Sequence, residues 1–192
     1  MSSYTKINYS LRVNKSIERK VISDFFLSIS EKFSINRYRY IGFGSMWFTD
    51  FSLFHSALSI KDMISIEKTD AHRALYNRPY RFIKILEGLS TDVLPSAVDQ
   101  DKKCIVWLDY DGTATNSAVL EDLQVLLGNL PTGSFLMITL NAHNQQFDNL
   151  KDSDDNKMNR MASLKSFFGS STPPNISSKS FRRDKFPQVL SR

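Results

Sequence analysis

Tyr38-Arg39-Tyr40-Ile41-Gly42-Phe43-Gly44-Ser45 and, further along, Met63-Ile64-Ser65-Ile66-Glu67 are the two stretches whose pairing decides the fold. The first is a β-rich run ending in two glycines. The second is a short apolar run that stops on a carboxylate. In a βαβ nucleotide-binding unit the first strand ends in a glycine turn, because a side chain there would collide with the ligand. The second ends in Asp or Glu, which accepts hydrogen bonds from ribose hydroxyls. Glu67 follows Gly44 by 23 positions, near the spacing of about 20 that such a unit expects. Between them Phe51–Ile60 has helical periodicity, with Asp50 placed as its N-cap. A dinucleotide fingerprint asks for a third glycine where this chain has Trp47, which argues against a pyrophosphate-bearing ligand.

Working outward, residues 12–33 read as an amphipathic helix. Val13, Ile17, Val21, Phe25 and Ile29 form an apolar stripe, with Arg12, Lys15, Arg19 and Lys20 away from it. Downstream of Glu67, residues 70–77 and 80–88 read as helices broken by Pro79 and closed by Gly88. A weak strand falls near Thr91–Leu94, and the clearest strand of the chain runs from Cys104 to Leu108. A helix over Ser117–Leu127 and a continuous apolar strand over Phe135–Leu140 follow. Short uninterrupted apolar strands alternating with helices are what a parallel sheet covered on both faces requires. The expectation is an α/β fold: a doubly wound, mostly parallel sheet of Rossmann-like type with five strands. Its parts are a basic amphipathic helix over 1–35, a cofactor-binding core over 36–143, and a polar loop, short helix and basic tail over 144–192.

Bulk properties narrow the classes. At 192 residues, 41% hydrophobic, the chain has the size and composition expected of about one globular domain. No apolar run approaches membrane-spanning length, the start MSSYTKINYS is not a signal peptide, and the expected location is the cytoplasm without membrane attachment. The single Cys104 lies in the apolar run CIVWL and reads as a packing residue. His55, His72 and His143 are scattered and no Cys/His cluster has zinc spacing, so no metal site is assigned, while a divalent metal on the Asp109 and Asp111 carboxylates stays open. The net charge of +5 permits an anionic partner, and the cations gather at the two ends.

The strand–glycine turn–helix–strand–Glu set over residues 36–143 resembles the class I S-adenosylmethionine-dependent methyltransferases. These accept a looser glycine turn because their cofactor has no pyrophosphate to seat. The resemblance implies S-adenosylmethionine as cofactor. Gly42, Phe43, Gly44 and Ser45 would make its turn, Gly42, Gly44 and Ser45 wrapping the methionine part, and Glu67 would bind its ribose. It also implies a ligand crevice at Asp109-Tyr110-Asp111-Gly112. There Asp109 would face the methionine amine or a substrate proton, Tyr110 would flank the methyl donor, and Asp111 would face the substrate or build the turn. The prolines that mark amine-methylating members are missing. Seven strands are usual in that family, whereas five are found here. The edge is then rebuilt by Phe181–Leu190, or the chain is shortened, or a protein partner or second copy completes it.

Further candidates follow from position. His143 and Asn141, at the end of the fifth strand, are placed for acid–base work and substrate contact respectively, with Asp109 the other catalytic candidate. Arg12, Lys15, Glu18 and Arg19 share helical spacing. Arg12, Lys15 and Arg19 could hold a phosphate-bearing substrate, or the group is a solvated face with internal pairs such as Lys15–Glu18. His55, among Phe51, Phe54 and Leu58, reads as a packing histidine. The function expected is methyl transfer to a small-molecule or nucleic-acid acceptor. One alternative is a non-catalytic binding module within a complex. Another is a phosphatase, since Asp109-Tyr110-Asp111-Gly112-Thr113 resembles the first motif of the haloacid dehalogenases, with Thr139 as a second motif.

Overall fold

The computed structural model describes residues 13–44, 46–113 and 117–142. In the C-terminal stretch it describes 161–162, 164–166, 168–172, 174–177, 180, 186 and 188. Its elements are α1 (Val13–Ile29), β1 (Arg39–Phe43), α2 (Thr49–Leu58), β2 (Asp62–Glu67), α3 (Ala71–Asn77), β3 (Ile83–Glu87), α4 (Ser90–Ala97), β4 (Cys104–Thr113), α5 (Ser117–Asn129) and β5 (Phe135–Asn141). The strands form one parallel sheet in the order β3-β2-β1-β4-β5. In register, Gly42 lies opposite Ser65 on one side and Trp107 on the other, and Glu67 lies opposite Glu87. The α/β, Rossmann-like expectation therefore holds. The strand order reverses between β1 and β4, and in open α/β sheets ligands bind beyond the carboxyl ends of the strands at that switch point. Gly44 and Asp109 stand there.

Two local readings give way. Residues 80–88 are not helical; they carry β3, which pairs with β2 along its length. The weak strand at Thr91–Leu94 is instead the body of α4. Thr91 and Val93 suit a strand locally, but no neighbour pairs with them, whereas Ile83-Lys84-Ile85-Leu86 finds β2 waiting. Gly88 closes no helix. It turns the chain from β3 into α4 at φ 146°, a conformation that favours glycine, and its N–H donates to the Glu67 carbonyl at 2.9 Å. The N-cap of α2 is Phe48, in the left-handed region at φ 45°, not Asp50, which lies in the first turn.

α1 also presents a face other than the expected one. Val13, Ile17 and Val21 are 70%, 56% and 61% exposed, while Arg19, Ser23 and Phe26 are buried. A step of four residues advances about 40° beyond a full turn, so a stripe kept at that spacing from 13 to 29 swings about 160° around the helix. Residues 19, 22, 23, 26 and 29 stay within an arc of about 120° and make the true inner face. Phe26 enters an aromatic nest with Phe54 and Phe135, and Tyr40 packs edge-on against Phe51 and Phe54.

The chain divides into two compact units, one comprising Met1–Asp109 and Glu121–Thr139, the other Tyr110–Leu120 and Leu140–Arg192. The first holds the main core, from Phe26 through Tyr40 and Phe54 to Trp107. The second has a small nucleus in which Leu164 and Phe186 are fully buried against Met161, Phe168 and Ile176. Phe186 and Gln188 are helical, so these positions add no strand to the sheet. Among the described residues no helix is long and apolar enough to cross a membrane.

Candidate functional site at the sheet switch point

Glu67 ends β2 beside the turn that follows β1. A Cβ at position 44 would overlap Glu67 Oε1 and Ser65 Oγ, so only glycine lets the carboxylate lie on the turn. Ser65, two residues back and therefore on the same face of β2, donates its hydroxyl to Glu67 Oε1 at 3.0 Å. Loss of solvent raises the Glu67 carboxyl to about 7 against the pull of that bond, and the nearby Asp50 and Asp70 carboxylates add to the rise.

Gly42 is glycine for a different reason. A Cβ there would come within 2.6 Å of Tyr40 Oη and 3.3 Å of the Trp107 carbonyl. Tyr40 is fully buried, and its hydroxyl donates to Asp50 Oδ2 at 2.5 Å. Burial and the facing carboxylate push the Tyr40 phenol well above its ordinary range. Loss of solvent likewise raises the Asp50 carboxyl, against the hydrogen bond from Tyr40 and the positive charge of Arg19. Phe48 and Asp70 begin the helices after β1 and β2 with left-handed backbones, at φ 45° and 60°. Such strain is characteristic of ligand-facing turns.

On the other side of the switch point Lys15 Nζ lies 2.7 Å from Asp109 Oδ1 and 2.9 Å from Glu18 Oε2. Burial pushes the Lys15 ammonium down, but hydrogen bonds and charge from Asp109 and Glu18 outweigh it and hold the group above its ordinary value. Trp107 Nε1 donates to Thr139 Oγ1 at 3.1 Å, and Thr139 donates to Glu18 Oε1 at 3.0 Å. Lys15 also stands 5.9 Å from the centre of the Trp107 ring. A single chain of contacts thus ties α1 to β4 and β5. The Lys15–Glu18 pair foreseen as a solvated face forms, and it is anchored inward by Asp109.

Of the residues read as cofactor-binding, Gly42, Phe43, Gly44, Glu67 and Asp109 stand at or beside the carboxyl ends of the three central strands β2, β1 and β4. Lys15 joins Asp109, whereas Arg19 faces Tyr40 and Asp50. Tyr110 and Asn141 belong to the second unit. Arg12, Ser45, His143 and the side chain of Asp111 lie outside the described residues. Among the described residues no group of three His, Cys, Asp or Glu side chains could hold a metal ion. His55 is a packing residue as read: Nδ1 meets the Ile60 carbonyl at 2.9 Å and the ring packs on Tyr80 and Phe82. Cys104 is buried, its thiol pushed up to about 11 by that burial.

The sequence reading missed Ser65, Asp50 and Tyr40 as parts of the site. Ser65 was open to discovery by strand alternation from Glu67, and Tyr40 by the same alternation from Gly42. Asp50 was noticed and given the wrong task, because its partner lies on the preceding strand. Thr139, proposed as part of a phosphatase motif, is engaged between Trp107 and Glu18.

No curated protein and no solved structure matches the chain. A family model described as "Putative O-methyltransferase" matches residues 7–192. A match over nearly the whole length, on a parallel α/β sheet of the expected kind, establishes that the chain belongs to this O-methyltransferase family.

Proposed function

We propose that the protein transfers the methyl group of S-adenosylmethionine to an oxygen of an anionic acceptor. The observation that carries this reading is the contact of Glu67 with Gly44, a carboxylate laid on a side-chain-free turn at the ends of adjacent parallel strands. The residues fit the cofactor. Glu67 has a free carboxylate oxygen to accept from ribose hydroxyls while Ser65 holds the other. Gly42 to Ser45 would pass the methionine part without steric conflict, and Asp109 offers a carboxylate to its ammonium group.

Bound there, the cofactor supplies an electrophilic methyl on a sulfonium. The protein contributes orientation and the exclusion of water. The proton that an acceptor hydroxyl would shed on methylation would pass to a base, for which Asp109 and His143 are the candidates.

Calorimetric titration with S-adenosylhomocysteine, wild type beside Glu67→Ala, tests the reading. Micromolar binding that weakens by about a hundredfold in the variant is expected from the loss of two charge-assisted hydrogen bonds. No binding by the folded wild type overturns it and leaves a non-catalytic binding module as the better account.

A further inference from the structure

Between α1 and α2 lies a cleft of about 420 Å³ whose lining combines one guanidinium with five hydroxyls: Arg19 and Ser16 from α1, Thr49, Ser52 and Ser56 from α2, and Tyr80. Arg19 is only 7% exposed. Its Nε has no hydrogen-bond partner, and among the described residues no carboxylate forms an ion pair with it. Asp50 feels its charge but takes its hydrogen bond from Tyr40. A guanidinium cannot shed its proton at any ordinary pH, and a buried charge without a partner is strongly disfavoured unless something compensates it. An anion entering the cleft would do so.

We infer that the α1–α2 cleft is the subsite for a phosphate ester carried by the methyl acceptor. Naming the bound molecule as the acceptor rests on the methyltransferase reading above; the anion site itself does not. The chemistry of the lining selects phosphate. A planar carboxylate has two oxygens and is satisfied by two N–H groups along one edge of a guanidinium. A phosphate monoester presents three terminal oxygens in a tetrahedral spread and uses donors arriving from several directions, which Ser16, Thr49, Ser52 and Tyr80 can supply, the Ser56 hydroxyl being donated to the Leu53 carbonyl at 3.0 Å. Among the described residues that line the cleft, Arg19 alone is charged.

Titration of the whole chain with inorganic phosphate, uridine 5′-monophosphate and glucose 6-phosphate, each ester beside its unphosphorylated parent and all beside acetate, tests the inference. Adenine nucleotides are avoided because they also fit the cofactor turn. The expected result is that phosphate and its esters bind while the parents and acetate do not. Preference for the uridine ester over the sugar ester would make the acceptor a nucleotide. Arg19→Gln should weaken phosphate binding about tenfold or more. Because removal of a buried arginine can disturb folding, Ser56→Glu is the second variant. It places a like charge at an exposed helix position on the rim and should weaken phosphate to a similar degree. S-adenosylhomocysteine is titrated in parallel and should bind the Ser56→Glu variant as it binds wild type. Phosphate failing where S-adenosylhomocysteine binds overturns the subsite and leaves the methyltransferase reading standing. Phosphate binding where S-adenosylhomocysteine does not overturns the assignment to an acceptor. Acetate binding as well as phosphate overturns the ligand class.

Discussion

Lys15 Nζ lies 2.7 Å from Asp109 Oδ1, 94 residues further along the chain, and so joins the first turn of α1 to β4 at the sheet switch point. Lys15 is mostly shielded and Asp109 is one-third exposed, so the pair sits between a surface bridge of negligible value and a buried one. Lys15→Met should cost about 1–2 kcal/mol, discounted for the solvent that reaches Asp109. The pH dependence has a definite sign. The folded ammonium titrates above the ordinary 10.5, so its stabilisation is full below that value and fades as pH rises through the folded value. Urea melts of wild type and variant should differ at pH 8, and the difference should shrink as pH rises through the raised folded value. A difference that persists unchanged at high pH would show that the contribution is packing against Trp107.

Glu67 offers a second pH signature of the same sense, set at lower pH. Its carboxyl titrates at about 7 in the folded chain against 4.5 for the free group, so the native state holds the proton longer. Stability therefore falls as pH rises from about 4.5 to about 7, and stays lowered above that. Glu67→Gln removes the penalty and should stabilise the chain by about 1–3 kcal/mol at pH 8 while doing little at pH 4. The same change should weaken S-adenosylhomocysteine, since an amide is a poorer acceptor than a carboxylate. Affinity of the wild type should rise between pH 6 and 8 as the carboxylate forms. Parallel thermal melts and titrations at the two pH values decide both halves.

The two glycines separate packing from binding. Gly42→Ala drives a Cβ toward the Tyr40 hydroxyl at 2.6 Å, in a core held by Asp50, and should lower stability by about 1–3 kcal/mol. Gly44→Ala meets the ends of the Glu67 and Ser65 side chains, which can swing aside, so it should lower stability less. Its cost should appear instead as a loss of S-adenosylhomocysteine affinity, by about tenfold or more, through the displaced carboxylate. Equal loss of stability in the two variants would contradict this division.

The parts of the fold legible in the sequence were those written in local pattern. Gly42, Gly44 and Glu67 announce β1, the turn and β2 because each obeys a steric or hydrogen-bonding demand within a single βαβ unit. β3 escaped because Ile83–Glu87 becomes a strand only through pairing with β2, which no local window contains. α1 was recognised as a helix, yet its inner face was misassigned. Arg19 and Ser23 are polar, and hydrophobicity alone pointed to Val13 and Val21. The candidate site divides the same way. Glu67 was readable, while the Lys15–Asp109 and Tyr40–Asp50 pairs join elements whose proximity is a property of the tertiary fold.

Tyr40 and Asp50 lie directly beneath the glycine turn, and their coupling yields the last expectation. Tyr40→Phe removes the donor while keeping the ring that packs on Phe51 and Phe54. The partly buried Asp50 would then lose its hydrogen bond from Tyr40, the strongest influence holding its carboxyl down against loss of solvent. Desolvation of an unpartnered acceptor costs about 1–3 kcal/mol, and the carboxyl should titrate still higher. A raised native value means that the native state favours the protonated acid, so the destabilisation should shrink as pH falls from that raised value toward the ordinary carboxylate range. Asp50→Asn in the Tyr40→Phe background should recover part of the loss at neutral pH, because the amide carries no charge to desolvate. Chemical denaturation of the two single variants and the double variant at pH 4 and pH 7 measures the coupling. Strictly additive effects at both pH values would mean that the 2.5 Å contact contributes nothing to the stability of the turn.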